Sequence, residues 1–410
     1  MLKKITIQEL TPGMNVVNLN LPWLSNPFLY AEEGLIKSQE QIDDIIAKGF
    51  LEVYIDTAED TANEGETPVE VQAALPSKRA YTHHDKIPPT TSIQEELPIA
   101  RQLYDNSVRF AKTAMQKLSL GNELPMDEAE GLISNVMESV TRNYNALSGL
   151  IKLRTRDEYT YTHCINVAVL AIILARQMGL NQDETRKIGL AGLFHDVGKI
   201  HIPNKILNSP RNLTPEEFEI MKEHPMLGLK NLDKNKIYPE VVHGILEHHE
   251  KLNGSGYPQG LKGDEISLVG KLLSVVDVYD ALTSRRVYKD PMLPHQALSL
   301  MYSMRGQEFD ENILEHFIIS QGIYPVGSVV ELNTGWRGTV VQISTEHPLM
   351  PQVALLRSPS GQKNYSGEIV DLSKERSMKI VKVMGAVQAG VDPSMVLPGT
   401  AGSALNYVKG

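Results

Sequence analysis

The sequence predicts a mainly α-helical protein with a small α/β domain in front and a short-stranded β extension behind. Three observations support this prediction. Helical periodicity in the apolar residues runs through most of residues 99–322. The first 57 residues instead combine short apolar runs with a turn at Pro12-Gly13. After Tyr324-Pro325 the apolar residues alternate with polar ones, which is typical of strands.

The composition of the 410 residues is that of an ordinary globular protein. The formal net charge is -10 and no basic block is present, which argues against the binding of long nucleic acid. The N-terminus lacks the apolar core of a signal peptide, and the longest apolar run, 167–175, is too short to span a bilayer. The one cysteine, Cys164, cannot form an internal disulfide. We therefore expect a cytoplasmic protein without a membrane span.

Changes in composition divide the chain into five predicted segments. Residues 1–57 form the α/β domain, for which a regulatory or dimerising role is a hypothesis. Residues 58–98 are rich in Glu, Thr, Ala and Pro and read as a linker. Residues 99–322 form the helical domain, residues 323–385 form the β extension, and residues 386–410 form a loose tail.

Capping residues set the predicted helix boundaries within the helical domain. A long apolar helix is expected over residues 157–178. Asn181 with Glu184 three residues later is a capping box that begins the next helix. Thr214 with Glu217 begins another helix in the same way.

Polar residues that can bind metals end or interrupt these apolar helices. His195 and Asp196 end one apolar segment and can converge on one metal ion, or Asp196 can bridge two. Lys199, one turn later, can meet an anionic substrate or a leaving oxygen. The His-Asp dipeptide alone is a weak signal, because it is usually structural. Further polar residues strengthen it, because each lies in or beside a hydrophobic segment where an unpaired polar group is costly: His224, His248, His249 and Asp277.

The density of histidines favours a metal centre. A lone histidine in an apolar helix, such as His163, is more often a satisfied core residue than a ligand. Seven of the 12 histidines nevertheless fall between His163 and His249, and a metal-free core has little use for them. Mixed imidazole and carboxylate ligands suit iron, manganese, nickel or zinc better than magnesium. Two metals bridged by a carboxylate are a standard device for phosphoester hydrolysis.

In their order along the chain, these motifs resemble those of the HD-GYP subgroup of the HD-domain metal-dependent phosphohydrolases. The similarity spans roughly residues 150–320, and a small N-terminal domain of unassigned function also precedes the core in known relatives. It implies a helical HD-domain core and hydrolysis of cyclic di-GMP, to linear pGpG or to GMP, through a metal-activated water. The matching motifs are His195-Asp196 with Lys199, His224-Pro225, His248-His249-Glu250, Gly256-Tyr257-Pro258 and the segment 277–289.

The resemblance also implies the metals and their ligands. Two divalent transition metals are expected, iron or manganese first, with nickel, cobalt or zinc as alternatives. In the implied partition Asp196 bridges the two ions, and the first ion is further held by His163, His195 and Asp277. The second ion is held by His224, His248 and His249.

The substrate contacts are implied in the same way. Asp196 and Lys199 are the implied catalytic residues, with Lys199 contacting the scissile phosphate or protonating the leaving oxygen. The dinucleotide would be held by Lys199 together with Tyr257, Arg286 and Lys289.

The sequence departs from the family pattern at two positions. Asn253 stands where the loop of the family usually has Asp. Tyr159 stands four residues before His163, on the same helix face, where members with three metals have a Glu ligand. Glu158 is rotated by about 100° around the helix axis and should point elsewhere. We therefore expect two metals rather than three.

The sequence is also compatible with two other functions. The chain could hydrolyse the mixed cyclic GMP-AMP, or it could be a cyclic-dinucleotide sensor or adaptor that signals through its N-terminal domain. The presence of His195, Asp196 and Lys199 favours an enzyme over a sensor. The expected partner is a cyclic dinucleotide, and a homodimer or a protein partner through the N-terminal domain is a hypothesis.

Overall fold

The centre of the fold is an apolar helix, Tyr159–Gln177, around which the other helices pack. Every side chain from 164 to 175 is buried, because this helix is hydrophobic on all of its faces. The computed structural model describes residues 2–17, 29–30, 34–47, 52–56, 89–151, 159–209, 211–232, 237–284, 291–344, 347, 349–364, 368–375 and 377–392.

Helices form most of the described part of the chain. In chain order they are α1 (Gln39–Ala47), α2 (Ile93–Ser119), α3 (Met126–Leu150), α4 (Tyr159–Gln177), α5 (Gln182–Phe194), α6 (Asn204–Leu207), α7 (Pro215–Met221), α8 (His224–Gly228), α9 (Pro239–Glu247), α10 (Leu268–Thr283), α11 (Pro294–Ser303), α12 (Glu311–Gln321) and α13 (Ala386–Ala389). Short 3-10 helices lie between them, and the one at Val197–His201 directly follows α5 and Asp196.

The strands form one small sheet at each end of the chain. They are β1 (Leu2–Thr6), β2 (Asn15–Val16), β3 (Leu29–Tyr30), β4 (Gly34–Leu35), β5 (Glu52–Asp56), β6 (Val329–Leu332), β7 (Arg337–Gln342), β8 (Gln352–Arg357), β9 (Ile369–Asp371) and β10 (Ile380–Met384). The N-terminal sheet has the order β1-β5-β2-β4, with β3 also paired to β5. The C-terminal sheet is antiparallel with the order β10-β6-β7-β8-β9.

These sheets and the helices have separate hydrophobic cores, so the predicted fold class is confirmed. One core joins helices α2 to α5 and α9 to α12, a second lies in the N-terminal unit, and two further clusters lie on the C-terminal sheet. The predicted strands after Tyr324 coincide with β6, β7 and β8. The glycine and the proline also predict breaks in the helical periodicity at Gly121 and Pro125, and these are confirmed, since α2 ends at Ser119 and α3 begins at Met126.

Helix α2 begins earlier than its apolar periodicity indicates. The periodicity predicts a start near Ile99, but the helix begins at Ile93. Ser92 and Glu95 form a capping box, in which each side chain accepts a hydrogen bond from the backbone N–H of the other residue. This local signal outweighs Pro98, which is tolerated inside the helix.

A polar network joins α2, α3 and the C-terminal sheet. Glu96 of α2 is fully buried, and Arg142 of α3 donates to it from Nε at 2.6 Å and from Nη2 at 3.0 Å. Asn143 has non-helical backbone angles and kinks α3 at this point. Two residues later, the side-chain oxygen of Asn145 accepts the N–H of Ile343, which follows β7. The network therefore fixes the β extension on the helical core.

No helix in the described ranges is long and apolar enough to cross a membrane.

Candidate metal centre

All seven predicted metal ligands lie close together in the helical core. Six of them are buried, and only the side chain of His249 is partly exposed, at 23%. Helix ends supply most of them, because side chains that leave a helix terminus can turn inward between packed neighbours. The ligands are His163 in α4, His195 and Asp196 after α5, His224 at the start of α8, His248 and His249 after α9, and Asp277 in α10.

We call His163, His195 and Asp277 the inner cluster. His163 Nε2 lies 3.0 Å from Asp277 Oδ1 and 3.5 Å from Asp196 Oδ2. His195 Nε2 lies 3.3 Å from the same Asp196 oxygen and 3.3 Å from His163 Nε2. The inner cluster therefore faces one oxygen of the Asp196 carboxylate.

We call His224, His248 and His249 the outer cluster, which faces the other oxygen of Asp196. Asp196 Oδ1 lies 3.3 Å from His224 Nε2 and 3.7 Å from His248 Nε2. The candidate ligand atoms of these four residues all lie within 4.8 Å of one another. His249 also approaches the inner cluster, with Nδ1 3.7 Å from Asp277 Oδ2.

Three of the imidazoles direct their Nε2 atoms into the centre because Nδ1 donates to a backbone carbonyl. A carbonyl can only accept, so Nδ1 carries the hydrogen and Nε2 keeps a lone pair. This arrangement is typical of metal-binding histidines. The pairs are His195 with Gly192 O at 2.8 Å, His224 with Met221 O at 2.8 Å and His248 with Ile245 O at 2.9 Å.

Asp196 stays ionised in this buried position. Burial alone raises the pKa of its carboxyl group, but the ammonium of Lys199 and the ring of His195 outweigh burial and hold the pKa well below its ordinary value of 3.8. Among the described residues, Asp196 Oδ1 has no hydrogen-bond partner. A buried, ionised oxygen that faces lone-pair nitrogens requires a cation. The donor set therefore fits divalent metal ions.

The neighbouring groups are also in the protonation states that metal binding requires. Burial raises the pKa of Asp277, but the hydrogen bond with His163 and the neighbouring rings prevail and leave the pKa well below 3.8. Burial lowers the pKa of His248 to about 4, and burial together with His248 lowers the pKa of His249 well below 6.5. Ionised carboxylates and neutral imidazoles are the forms that coordinate metals.

Lys199 is fixed beside Asp196 by the tight packing of the 3-10 helix. Its ammonium donates to Asp196 Oδ2, and 22% of its side chain is exposed. A Cβ atom at Gly198 would lie 1.9 Å from His224 O and 2.5 Å from Gly228 N, so this position requires glycine. The close approach places Lys199 and Asp196 opposite the start of α8.

The carboxylate of Asp280 supports the inner cluster from outside it, and the sequence analysis did not predict this role. Its Oδ2 lies 2.8 Å from His163 Nδ1, and its Oδ1 accepts from the amide of Asn166 at 3.2 Å. Ser284 Oγ also donates to Asp280 Oδ2 at 3.2 Å. The spacing of three residues between Asp277 and Asp280 on one helix was the available signal, because it puts both carboxylates on the same face.

Glu250 shapes the loop that carries Tyr257. This buried carboxylate accepts three backbone N–H groups of residues 259–261, at 2.7 to 3.1 Å. A Cβ atom at Gly256 would lie 2.5 Å from Glu250 Cα, so the loop lies directly on the ligand segment. Tyr257 is half-buried, and its ring centroid lies 4.7 Å from that of His249.

Asn253 can make the hydrogen bond within the loop for which an Asp side chain would also be suitable. Its side-chain oxygen accepts the N–H of Ser255 at 2.9 Å, and this bond needs only a carbonyl oxygen.

The predicted substrate contacts Arg286 and Lys289 lie outside the described residues. Glu158 also lies outside them. Tyr159 is the first residue of α4, and its position relative to a third metal stays a prediction.

Three family descriptions match the chain. One described as an HD domain matches residues 139–313, and a KOW domain associated with HD domain matches residues 329–388. A domain of unknown function, DUF3391, matches residues 2–129.

The curated relatives that the chain resembles are named as cyclic-dinucleotide phosphodiesterases. A cyclic di-GMP phosphodiesterase of Pseudomonas aeruginosa is 35% identical over 375 residues, which cover 91% of this chain and 90% of the relative. A cyclic di-GMP phosphodiesterase of Thermotoga maritima is 39% identical over 53% of this chain and 57% of its own length. A 3'3'-cGAMP-specific phosphodiesterase of Vibrio cholerae is 36% identical over 42% of this chain and 33% of its own length. With the first relative matched over nearly its full length, the chain belongs to the HD-GYP family of cyclic di-GMP phosphodiesterases, within the HD-domain phosphohydrolases.

Proposed function

We propose that the chain hydrolyses cyclic di-GMP to linear pGpG or onward to GMP. The observation that carries the proposal is the position of Asp196, whose two oxygens face two separate groups of ligands. Two such groups, bridged by one carboxylate, are the arrangement that a two-metal phosphodiesterase needs. The relatives named as cyclic di-GMP phosphodiesterases support this substrate.

In this proposal the two clusters hold two divalent metals, with Asp196 between them. Two ions bound there would lower the pKa of a water molecule and hold the phosphodiester in line for attack. The inner ion would be held by His163, His195 and Asp277, and the outer ion would be held by His224, His248 and His249. Iron and manganese are the metals that we propose, because both accept mixed imidazole and carboxylate ligands.

The residues of the chain bind and orient the substrate around this centre. Lys199 already points at Asp196 and is partly exposed, so its ammonium can reach a phosphate oxygen or give a proton to the leaving oxygen. Burial raises the pKa of Tyr257, so its phenol stays protonated and can donate a hydrogen bond. We propose Arg286 and Lys289 as further phosphate contacts because they follow α10, which carries Asp277.

Turnover with defined metals tests the proposal. Metal-free protein is loaded with Fe(II), Mn(II) or Mg(II) and given cyclic di-GMP or cyclic GMP-AMP, and the products are separated by chromatography. We expect metal-dependent turnover of cyclic di-GMP and slower turnover of cyclic GMP-AMP. Faster turnover of cyclic GMP-AMP would transfer the proposal to that substrate. Tight binding of cyclic di-GMP without turnover under any metal would make the chain a sensor and refute the proposed activity.

Two proposals concern the whole chain. The first is a regulatory or dimerising role of residues 1–57. A dimerising role would appear in light scattering as a dimer that becomes monomeric when those residues are deleted, and a regulatory role would appear as a change in turnover after the same deletion. The cytoplasmic location that we expect from the sequence is tested by fractionating cells that produce the tagged protein.

A further inference from the structure

Helix α7 carries an aromatic side chain that its own packing does not explain. All seven residues of Pro215–Met221 are described, and none is buried. Phe218 on this helix is 45% exposed. A single exposed apolar side chain is ordinary on a protein surface, so exposure alone assigns no role to Phe218.

The neighbours of Phe218 connect it to the metal centre. Its ring is edge-on to Tyr257, with centroids 6.2 Å apart and an interplanar angle of 81°. Tyr257 in turn lies 4.7 Å from the ring of His249 at an angle of 32°. The rings therefore form a continuous wall that leads from the outer cluster, past Tyr257, to the exposed face of Phe218.

The ammonium group of Lys222 lies beside the outer end of this aromatic wall. Lys222 Nζ lies 5.6 Å from the centroid of the Phe218 ring, and it is paired with Glu219 at 2.7 Å. An aromatic face beside an ammonium group is a surface that suits a purine base attached to a phosphate.

We propose that Phe218 and Tyr257 form a stacking surface for one base of the cyclic dinucleotide, in which the base stacks on the ring of Phe218 and meets the nearly perpendicular ring of Tyr257 edge-on. This rests on the proposed function, since the phosphodiester at the metals places the attached nucleoside along the wall. Phe218 supplies the outer part of the surface and contributes to base binding without contacting the scissile phosphate.

Kinetics of matched variants test the surface. Phe218→Ala should raise the KM for cyclic di-GMP about tenfold, because stacking of one base on an aromatic ring contributes substantially to binding. The kcat and the metal content should stay near the wild-type values, and Phe218→Tyr should restore the KM. Ile220→Ala is the control, because Ile220 is on the same helix and 37% exposed but has no aromatic ring. An unchanged KM in Phe218→Ala, or an equal rise in Ile220→Ala, would overturn the proposal.

Fluorescence gives a second test that does not depend on hydrolysis. Phe218→Trp and Ile220→Trp are compared in metal-loaded protein, where the two native tryptophans provide the same background. GMP, which has no phosphodiester bond, should quench the added fluorescence in Phe218→Trp but not in Ile220→Trp. Ribose 5-phosphate, which lacks a base, should quench neither. No quenching by GMP in Phe218→Trp would refute the stacking surface, whereas a failure of the proposed function would appear as absent turnover in the wild type.

Discussion

The inner and outer clusters share Asp196 but differ in charge and in access to solvent. The inner cluster adds a second carboxylate, Asp277, and its His163 is backed by Asp280. The outer cluster adds only imidazoles, backed by carbonyl groups, and its His249 is partly exposed beside Tyr257. A more anionic and more buried set of ligands holds a divalent ion more tightly. We therefore expect that the inner cluster would hold a divalent ion more tightly than the outer cluster would.

Removal of Asp196 should break both clusters at once and produce the largest effect. Asp196→Ala deletes the shared ligand, so we expect the loss of both metals and of all turnover while the helical content stays near wild type. Elemental analysis, turnover and circular dichroism provide the three measurements. Asp264→Ala is the matched control, because Asp264 is exposed and pairs only with Lys271 among the described contacts. Turnover near the wild-type rate in Asp196→Ala would refute the metal mechanism.

Removal of Asp280 should weaken the inner cluster alone. Asp280→Ala leaves His163 without its carboxylate partner, and loss of such a partner weakens metal binding about 10–100-fold. Titration of metal-free protein should show one weakened site and one unchanged site. Asp280→Asn keeps an oxygen acceptor and should lie between Asp280→Ala and the wild type. If both sites weakened equally, or neither did, the separation of the two clusters would be wrong.

The count of metals tests whether the inner cluster extends to a third ion. A neutral phenol with a pKa near 10 is a poor ligand, so Tyr159 should not hold one. We expect two equivalents of metal in the wild type by elemental analysis, located by anomalous scattering. Tyr159→Glu should add a third equivalent, and Tyr159→Phe should leave two. Three fully occupied ions in the wild type would contradict this prediction.

Acid should destabilise the metal-free protein through the outer cluster, with the smallest effect of the four. In the folded state the pKa of His248 is about 4 and that of His249 is well below the ordinary 6.5. Between pH 6.5 and about 4 the unfolded chain binds protons that the folded chain excludes, so the free energy of unfolding falls as pH falls. Thermal unfolding should therefore show a Tm lower by a few degrees at pH 5 than at pH 7.

Replacement of His248 isolates this contribution. His248→Asn removes the group that gains a proton, so its Tm should change less between the two pH values than that of the wild type. An equal or steeper pH dependence in the variant would assign the acid sensitivity to other groups.

The resemblance to the family implied two groups of ligands that share Asp196, and the structure places the same residues in the inner and outer clusters, while their binding of metals stays a prediction. The His and Asp motifs are local in sequence and were recognised residue by residue, and the helix breaks at Gly121 and Pro125 follow from backbone chemistry. Which oxygen of Asp196 faces which cluster depends on how α5, α8 and α9 pack, and no local pattern encodes that. The start of α2 was misplaced because the apolar periodicity was given more weight than the capping box formed by Ser92 and Glu95.

The supporting residues were missed for a related reason. Asp280 acts across 117 positions of sequence on His163, so only the folded chain shows the pair. The role of Glu250 likewise appears only when its loop has closed on it. Such residues contact ligand residues or loops rather than the reacting atoms, and their types alone do not distinguish them from surface carboxylates.

Glu250 shows how a mutational scan of this protein could assign a residue to the wrong functional class. Its carboxylate holds the loop of Tyr257 by three backbone N–H groups, and it directly follows the ligand pair in the chain. A substitution there would release the loop and score as a defect in substrate recognition, although the buried carboxylate of Glu250 is bonded to the loop backbone. Scored by phenotype alone, Glu250 would be grouped with Tyr257. A double-mutant cycle would show how they are related, because effects that fail to add would mean that Glu250 acts through Tyr257.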